Sequence, residues 1–256
     1  MTIFPLSHSP SSDVSRKVSA FTLIELLTVM AIISIMSLIL VPSISSLVSS
    51  SDLDKATGDI ALTLAQARSY AMAHQTYVFV GFQETDSTLA PSPSPTGSVT
   101  PGGRVYMSVV ATVDGTSGLP AYTVNTPWTY NPNNLVAIQK TEIFNNVHLA
   151  DNLPNTGNSA RPTSTAGDTV QQIADVTSSL TPFNVPLGTS LNSATAFNQV
   201  IQINPQGEVT LNGMLSPWIE LGLEPTHGKT LPANSPPNYA AIQIEGTTGA
   251  VRVYRP

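Results

Sequence analysis

The sequence predicts an α+β protein: a long N-terminal helix, transmembrane in its lower half, packed on a globular domain of antiparallel β-sheet. Three observations carry that expectation. Residues 21–41 form an apolar run whose only charge is Glu25. Residues 52–74 repeat apolar and small side chains at intervals of three and four, the period of one helix face. From residue 77 onward, short β-branched and aromatic segments alternate with clusters of Pro, Gly, Ser and Thr, the pattern of short strands and turns.

Bulk composition sets the outer limits. The 256 residues suffice for one sizeable domain with an extension, and 21 Pro with 16 Gly against only 10% charged residues imply many turns and loops. Without cysteine there are no disulfides, no thiolate nucleophiles and no Cys-ligated metals. A net charge of -6 gives no general attraction to nucleic acid or anionic lipid headgroups.

At about 1.5 Å per residue, a helix over Phe21 to Val41 matches the roughly 30 Å hydrocarbon core of a bilayer. Arg16 and Lys17 precede this run, and a Ser-rich stretch with Asp52 and Asp54 follows it. The charge asymmetry keeps the N-terminus cytoplasmic and places the remainder across the inner membrane. A secretory signal would have a shorter apolar core, about 7–15 residues, with its cleavage site after that core. Glu25 is the anomaly, because a carboxylate in lipid is costly unless it is paired or reaches the headgroups.

A basic leader followed by Phe21-Thr22-Leu23-Ile24-Glu25-Leu26-Leu27 and a further apolar run resembles the processing and assembly signal of type IV prepilins and type II secretion pseudopilins. The resemblance implies that residues 1–20 are a leader removed by a prepilin peptidase between Ala20 and Phe21, and that the new Phe21 amine is N-methylated. The family usually has Gly where Ala20 stands. The resemblance also implies a role for Glu25 in assembly: its anion would pair with the Phe21 amine of a neighbouring subunit, neutralising both charges in a low-dielectric bundle. Pro42 falls where such helices often carry a proline and is expected to kink the helix. The implied partners are other pilin-like subunits, the peptidase and an inner-membrane assembly platform, and the implied destination is a pilus or pseudopilus.

Residues 42–76 then read as an amphipathic helix with a stripe of Leu53, Ala56, Ile60, Leu64, Ala67 and Ala71, and with Asp52 or Asp54 favouring its N-terminal end. The Ala65–Ala73 piece leading into Tyr77-Val78-Phe79-Val80 resembles the H-type minor pseudopilins. Residues 77–256 make up the β-rich domain. Its expected strands are 77–82, 104–113, 135–139, 147–149, 200–203, 209–211, 241–244 and 250–254, with hairpins in VIQINPQGEVTL and AIQIEGTTGAVRVY. Residues 90–103 and 151–195 read as long surface loops.

No constellation of catalytic, cofactor or metal-ligating residues emerges, so neither an enzyme nor a cofactor is expected. The histidines at 8, 74, 148 and 227 are scattered, and no metal-binding spacing joins them. THGKT ends like a phosphate loop, but Leu223 stands where the first glycine is required, which leaves Lys229 as a surface charge. Glu84 and Asp86 lack the repeated spacing of a calcium loop. Arg252 and Arg255 with Tyr254 could touch nucleic acid, but two arginines on an acidic chain more often serve solubility or protect a sheet edge, so nucleic acid is not an expected partner. The segments PWIELGLEPTHG and AAIQIEGTTGAVRVYRP are similar to pilin-like proteins of a multi-gene cassette in Verrucomicrobia. The competing class is a single-span anchored protein whose β domain binds a ligand and forms no filament, with an anchored hydrolase behind it.

Overall fold

The computed structural model describes residues 21–88, 102–116, 134–151, 153–154, 161–163, 170–176, 183–186 and 194–256, and side chains throughout these except at 38–47, 184–186 and 194–196. The leader with Ala20, and most of the two expected loops, lie outside the described residues. The chain divides into two compact units, residues 1–44 and 45–256.

A single helix, α1, is assigned from Leu23 to His74. Pro42 falls inside it, so the proline neither stops the helix nor melts it. For the same reason Asp52 and Asp54 sit in the middle of a helix, which corrects the expectation that they favour its N-terminal end. Asp52 Oδ2 instead accepts from Asn146 Nδ2 at 2.7 Å. The C-terminal end is closed by Gln75 in the left-handed region at φ 51 and by Thr76 N donating to Ala71 O at 3.1 Å. That is a Schellman closure, which satisfies a carbonyl the helix cannot bond itself.

The strands follow in chain order: β1 (Val78–Asp86), β2 (Gly103–Thr112), β3 (Leu135–Ala137), β4 (Glu142–Asn145), β5 (Val147–Ala150), β6 (Val170–Gln172), β7 (Phe183–Pro186), β8 (Ala194–Phe197), β9 (Gln199–Ile203), β10 (Val209–Leu211), β11 (Met214–Leu215), β12 (Trp218–Pro225), β13 (Ala240–Glu245) and β14 (Val251–Tyr254). The first sheet runs β11-β10-β9-β1-β2-β3, with β4 sharing the outer edge of β2. The second runs β14-β13-β12-β5, and β6 lies parallel to β12 beside β5. Both expected hairpins form, as β9–β10 and β13–β14. Two departures are physical. Residues 151–195 contain strands β6 and β7 and the start of β8, with Ile173 and Phe183 buried, so this stretch is not only surface loop. And β12, unexpected because its sequence carries Glu220, Gly222 and Glu224, is the central strand of the second sheet.

The alternation along β12 explains the layout. Ile219, Leu221 and Leu223 join the main core, which the α1 stripe of Leu53, Ala56, Ile60, Leu64, Ala67 and Ala71 completes against the inner faces of both sheets. Every member of that stripe is buried, as its spacing predicts. The outer face of the first sheet has its own apolar layer, where Phe79, Tyr106, Val110 and Val200 pack with Phe183 and Phe197 of the β7–β8 hairpin. Gly81 of β1 makes room for it: a Cβ there would lie 2.6 Å from Phe183 Cζ and from Phe197 Cβ. Gly81→Ala is therefore expected to overpack this layer, at about 1–3 kcal/mol. Amide hydrogen exchange should rise in β7 and β8 well before the main core, and unchanged protection there would show that the aromatic pair can shift without loss.

Candidate functional site

The N-terminal segment begins with a reciprocal cap. Glu25 Oε2 accepts from both the backbone N and the Oγ1 of Thr22, each at 2.8 Å, while Glu25 N donates to Thr22 Oγ1 at 3.3 Å. With Thr22 as N-cap and Glu25 three residues on, this is a capping box, and it satisfies donors that the first turn leaves free. The spacing Thr-x-x-Glu was readable in the sequence beside the lipid anomaly that drew attention to Glu25. Phe21 stands just outside the helix and is 81% exposed.

Beyond the cap, Leu23, Ile24, Leu26, Leu27, Val29, Met30, Ile32, Ile33, Ile35 and Met36 are all exposed. A helix that is apolar all round has no face for water. Its remaining polar side chains up to residue 37 are three hydroxyls, and each is turned back onto its own helix. Thr28 Oγ1 donates to Glu25 O at 2.9 Å, Ser34 Oγ to Met30 O at 2.7 Å and Ser37 Oγ to Ile33 O at 2.8 Å. Internal satisfaction of polar groups is what a hydrocarbon environment demands. Among the described residues, no helix is long and apolar enough to cross a membrane.

The remaining residues of interest are distributed over the β domain. Arg255 Nη1 pairs with Asp54 Oδ1 at 2.7 Å, and the Arg252 guanidinium lies 5.2 Å from the Trp218 ring centroid. Both arginines singled out for nucleic acid thus have partners within the chain, and a polyanion would compete with them. Lys229 and His227 are exposed, and His74 stacks on Tyr70 with ring centroids 4.1 Å apart. Asp86 is occupied by Thr88, whose N and Oγ1 donate to Oδ1 at 2.8 and 2.7 Å, and these bonds hold its carboxyl below the ordinary value.

Two buried charge clusters escaped sequence reasoning, because their members are far apart in the chain. In the first, Glu84 Oε1 accepts from Gly102 N at 3.0 Å and Gly103 N at 3.1 Å, and Oε2 accepts from Leu149 N at 3.2 Å. His148 Nδ1 lies 2.9 Å from both oxygens, and Glu224 faces His148 across the β5–β12 pairing. In the second, Arg161 Nη1 lies 3.3 Å from both oxygens of Glu220, and Arg161 Nη2 donates to Leu153 O at 2.7 Å. Gln243 Nε2 donates to Glu220 Oε2 and to Pro162 O. Burial raises the Glu220 carboxyl above its ordinary value, against the opposing pull of Arg161 and Gln243. Neither cluster pairs a nucleophile with a base, and among the described residues no group of three or more His, Cys, Asp or Glu side chains is placed to hold a metal ion.

The prokaryotic N-terminal methylation motif matches residues 15–41, the segment holding the Ala20–Phe21 junction, Glu25 and the exposed apolar helix. This motif is the general signature of type IV pilins and pseudopilins, and it points to a prepilin peptidase and other pilin subunits as partners in general. No curated protein and no solved structure gives a significant match to the chain.

Proposed function

We propose that the chain is a minor pilin or pseudopilin, a structural subunit of a type IV pilus or a type II secretion-like filament, whose work is assembly and not catalysis. The observation that carries this reading is the N-terminal segment: a methylation motif followed by a helix that is exposed and apolar all round, with its polar side chains satisfied internally. In this reading residues 1–20 are removed, residues 21–41 span the inner membrane with the N-terminus cytoplasmic, and residues 45–256 lie on the other side. Glu25 then pairs with the Phe21 amine of a neighbour during assembly, and Pro42 bends the helix beyond the span. The helix-to-β1 junction is the part of the chain that resembles the H-type minor pseudopilins.

A second reading has one specific observation in its favour. The bonds from Thr22 to Glu25 give the carboxylate a local task that needs no neighbour, so a passively anchored β-domain binding protein could also use it.

Mass spectrometry of the mature terminus, in cells carrying the cognate prepilin peptidase, tests the proposal. The expected product begins at N-methylated Phe21, and Glu25→Ala is expected to be processed but to fail to enter filaments. Thr22→Ala removes the cap and leaves the charge, so it should still assemble. An uncleaved terminus would sink the pilin reading, and equal defects in the two variants would reduce Glu25 to a helix cap.

A further inference from the structure

Arg68 of α1 reaches the junction of the two sheets, where the β9–β10 and β13–β14 hairpins meet and Val209 N donates to Gly246 O at 2.7 Å. Its stem is clamped by two turn glycines in the left-handed region, Gly207 at φ 86 and Gly249 at φ 65. A Cβ on Gly249 would lie 2.7 Å from Arg68 Cδ and 2.8 Å from Nε, and one on Gly207 would lie 3.1 Å from Nε. The clamped guanidinium therefore has little rotamer freedom left to lose on binding. Nε is buried and has no hydrogen-bond partner. The carboxylates of both turns are already engaged, Glu208 by Asn204 Nδ2 at 2.7 Å and Glu245 by Thr248 Oγ1 at 2.9 Å. Arg104, Arg161, Arg252 and Arg255, by contrast, all have partners within the chain. An arginine fixed in place without a counterion presents a planar fork that suits a carboxylate.

The opposite flank of α1 carries the complement. From Asp59 to Arg68 the helix makes about two and a half turns and rises about 13.5 Å, so the two side chains leave it on opposite sides, with the buried stripe between them. On the Asp59 side α1 meets the β3–β4 region, where Gln139 Nε2 lies 3.4 Å from Thr63 Oγ1 and Glu142 of β4 feels the charge of Asp59. Burial raises the Glu142 carboxyl above its ordinary value, and Asp59 adds to the rise against the pull of Lys55. Both carboxylates are only half-buried, and among the described residues neither they nor Arg68 take part in an ion pair.

We propose that Arg68 of one copy pairs with the Asp59 and Glu142 carboxylates of a second copy beside it, the two α1 helices lying parallel and offset along their axes. The inference rests on the filament reading above, in which copies inserted in one membrane share the direction of α1. The Arg68 flank of one copy then faces the Asp59 flank of the next, and an offset of about 13.5 Å brings the charges level. The contact uses different surfaces on its two partners, and its axial offset prevents ring closure, so repetition builds an open helical array. A single exposed pair adds little affinity in solution. Anchoring in one membrane supplies the effective concentration, and the pair supplies the register.

Arg68→Lys keeps the cation and supplies a primary amine, which a carbodiimide joins to a carboxylate in direct contact as an amide, the activating group leaving as a urea. Treatment of the full chain in membranes of cells carrying the cognate peptidase should give a dimer whose linked peptides contain residue 68 and residue 59 or 142. Within one chain these sites lie on opposite sides of α1, so the linkage identifies two copies. Adding Asp59→Asn and Glu142→Gln should reduce it at least tenfold. If Arg68→Lys unfolds at a lower temperature than wild type, the carboxylates decide with Arg68 intact: Asp59→Arg with Glu142→Gln should lower co-purification of two differently tagged copies at least threefold, and unchanged co-purification would overturn the proposal. Absence of the linkage, or linkage of residue 68 to other carboxylates only, would overturn it equally. The mature terminus read on the same sample separates the two readings. N-methylated Phe21 without the linkage removes this contact and leaves the pilin reading standing, whereas an uncleaved terminus with the linkage removes the pilin reading and leaves a side-by-side contact of anchored copies.

Discussion

Arg161→Met is expected to lower the unfolding free energy by about 3–5 kcal/mol, because it strands the buried Glu220 carboxylate without its cation. Side chains of both residues are almost fully buried, at 3% and 4% exposure, so solvent cannot substitute for the lost partner. The replacement also releases the carbonyls of Leu153 and Pro154, which Arg161 Nη2 holds against the second sheet. The double variant Arg161→Met, Glu220→Met should recover most of the loss, since an apolar pair of similar volume removes both charges, and Gln243 keeps its bond to Pro162 O. Chemical denaturation of the three proteins measures this. The single-variant deficit should also shrink as pH falls: burial already raises the Glu220 carboxyl and loss of Arg161 raises it further, so the variant takes up the proton, and the penalty is relieved, above the ordinary carboxylate value. A single variant as stable as wild type at neutral pH would mean that the pair contributes nothing net.

Contrasts between particular elements show what the sequence makes legible. The α1 stripe from Leu53 to Ala71 is readable because a helix face is a local property with a fixed period, and burial follows it. The two expected hairpins are readable for the same reason, each being two alternating strands around a Gly-containing turn. A third hairpin, β10–β11, carried an equally local signal in Asn212-Gly213 and was overlooked because β11 is only two residues long. β12 is different in kind. Its outer face carries Glu220 and Glu224: Arg161 and Gln243 reach Glu220 from distant parts of the chain, and His148 faces Glu224 across the β5–β12 pairing. Buried polar groups are satisfied by tertiary partners, and a partner 59 or 64 residues away leaves no periodic trace. The candidate site shows the same division. The motif around Phe21 and Glu25 is contiguous and therefore visible, whereas the Glu84–His148 contact exists only once two sheets are assembled.

Glu84→Ala should be the most damaging change in the β domain after Arg161→Met, costing roughly 3 kcal/mol or more, since buried donors left unpaired cost about 1–3 kcal/mol each. Four donors depend on this carboxylate: the backbone N–H groups of Gly102, Gly103 and Leu149, and the His148 ring. They come from the start of β2 and from β5, so Glu84 on β1 ties the first sheet to the second. His148 makes the tie depend on pH. Burial by itself would lower its pKa, but the hydrogen bond and charge of Glu84, joined by the charges of Glu224 and Asp151, outweigh burial and move it above the ordinary 6.5. A histidine with a raised folded-state pKa stabilises fully below its unfolded value and loses that contribution as pH rises through the folded value. The difference in unfolding free energy between wild type and His148→Gln should therefore be largest in mildly acidic solution and decline above pH 6.5. Denaturation of both proteins across that interval reads the sign directly. A difference that grew with pH would mean that burial dominates and that the imidazole folds in neutral, in which case Glu84 holds the two sheets through backbone amides alone.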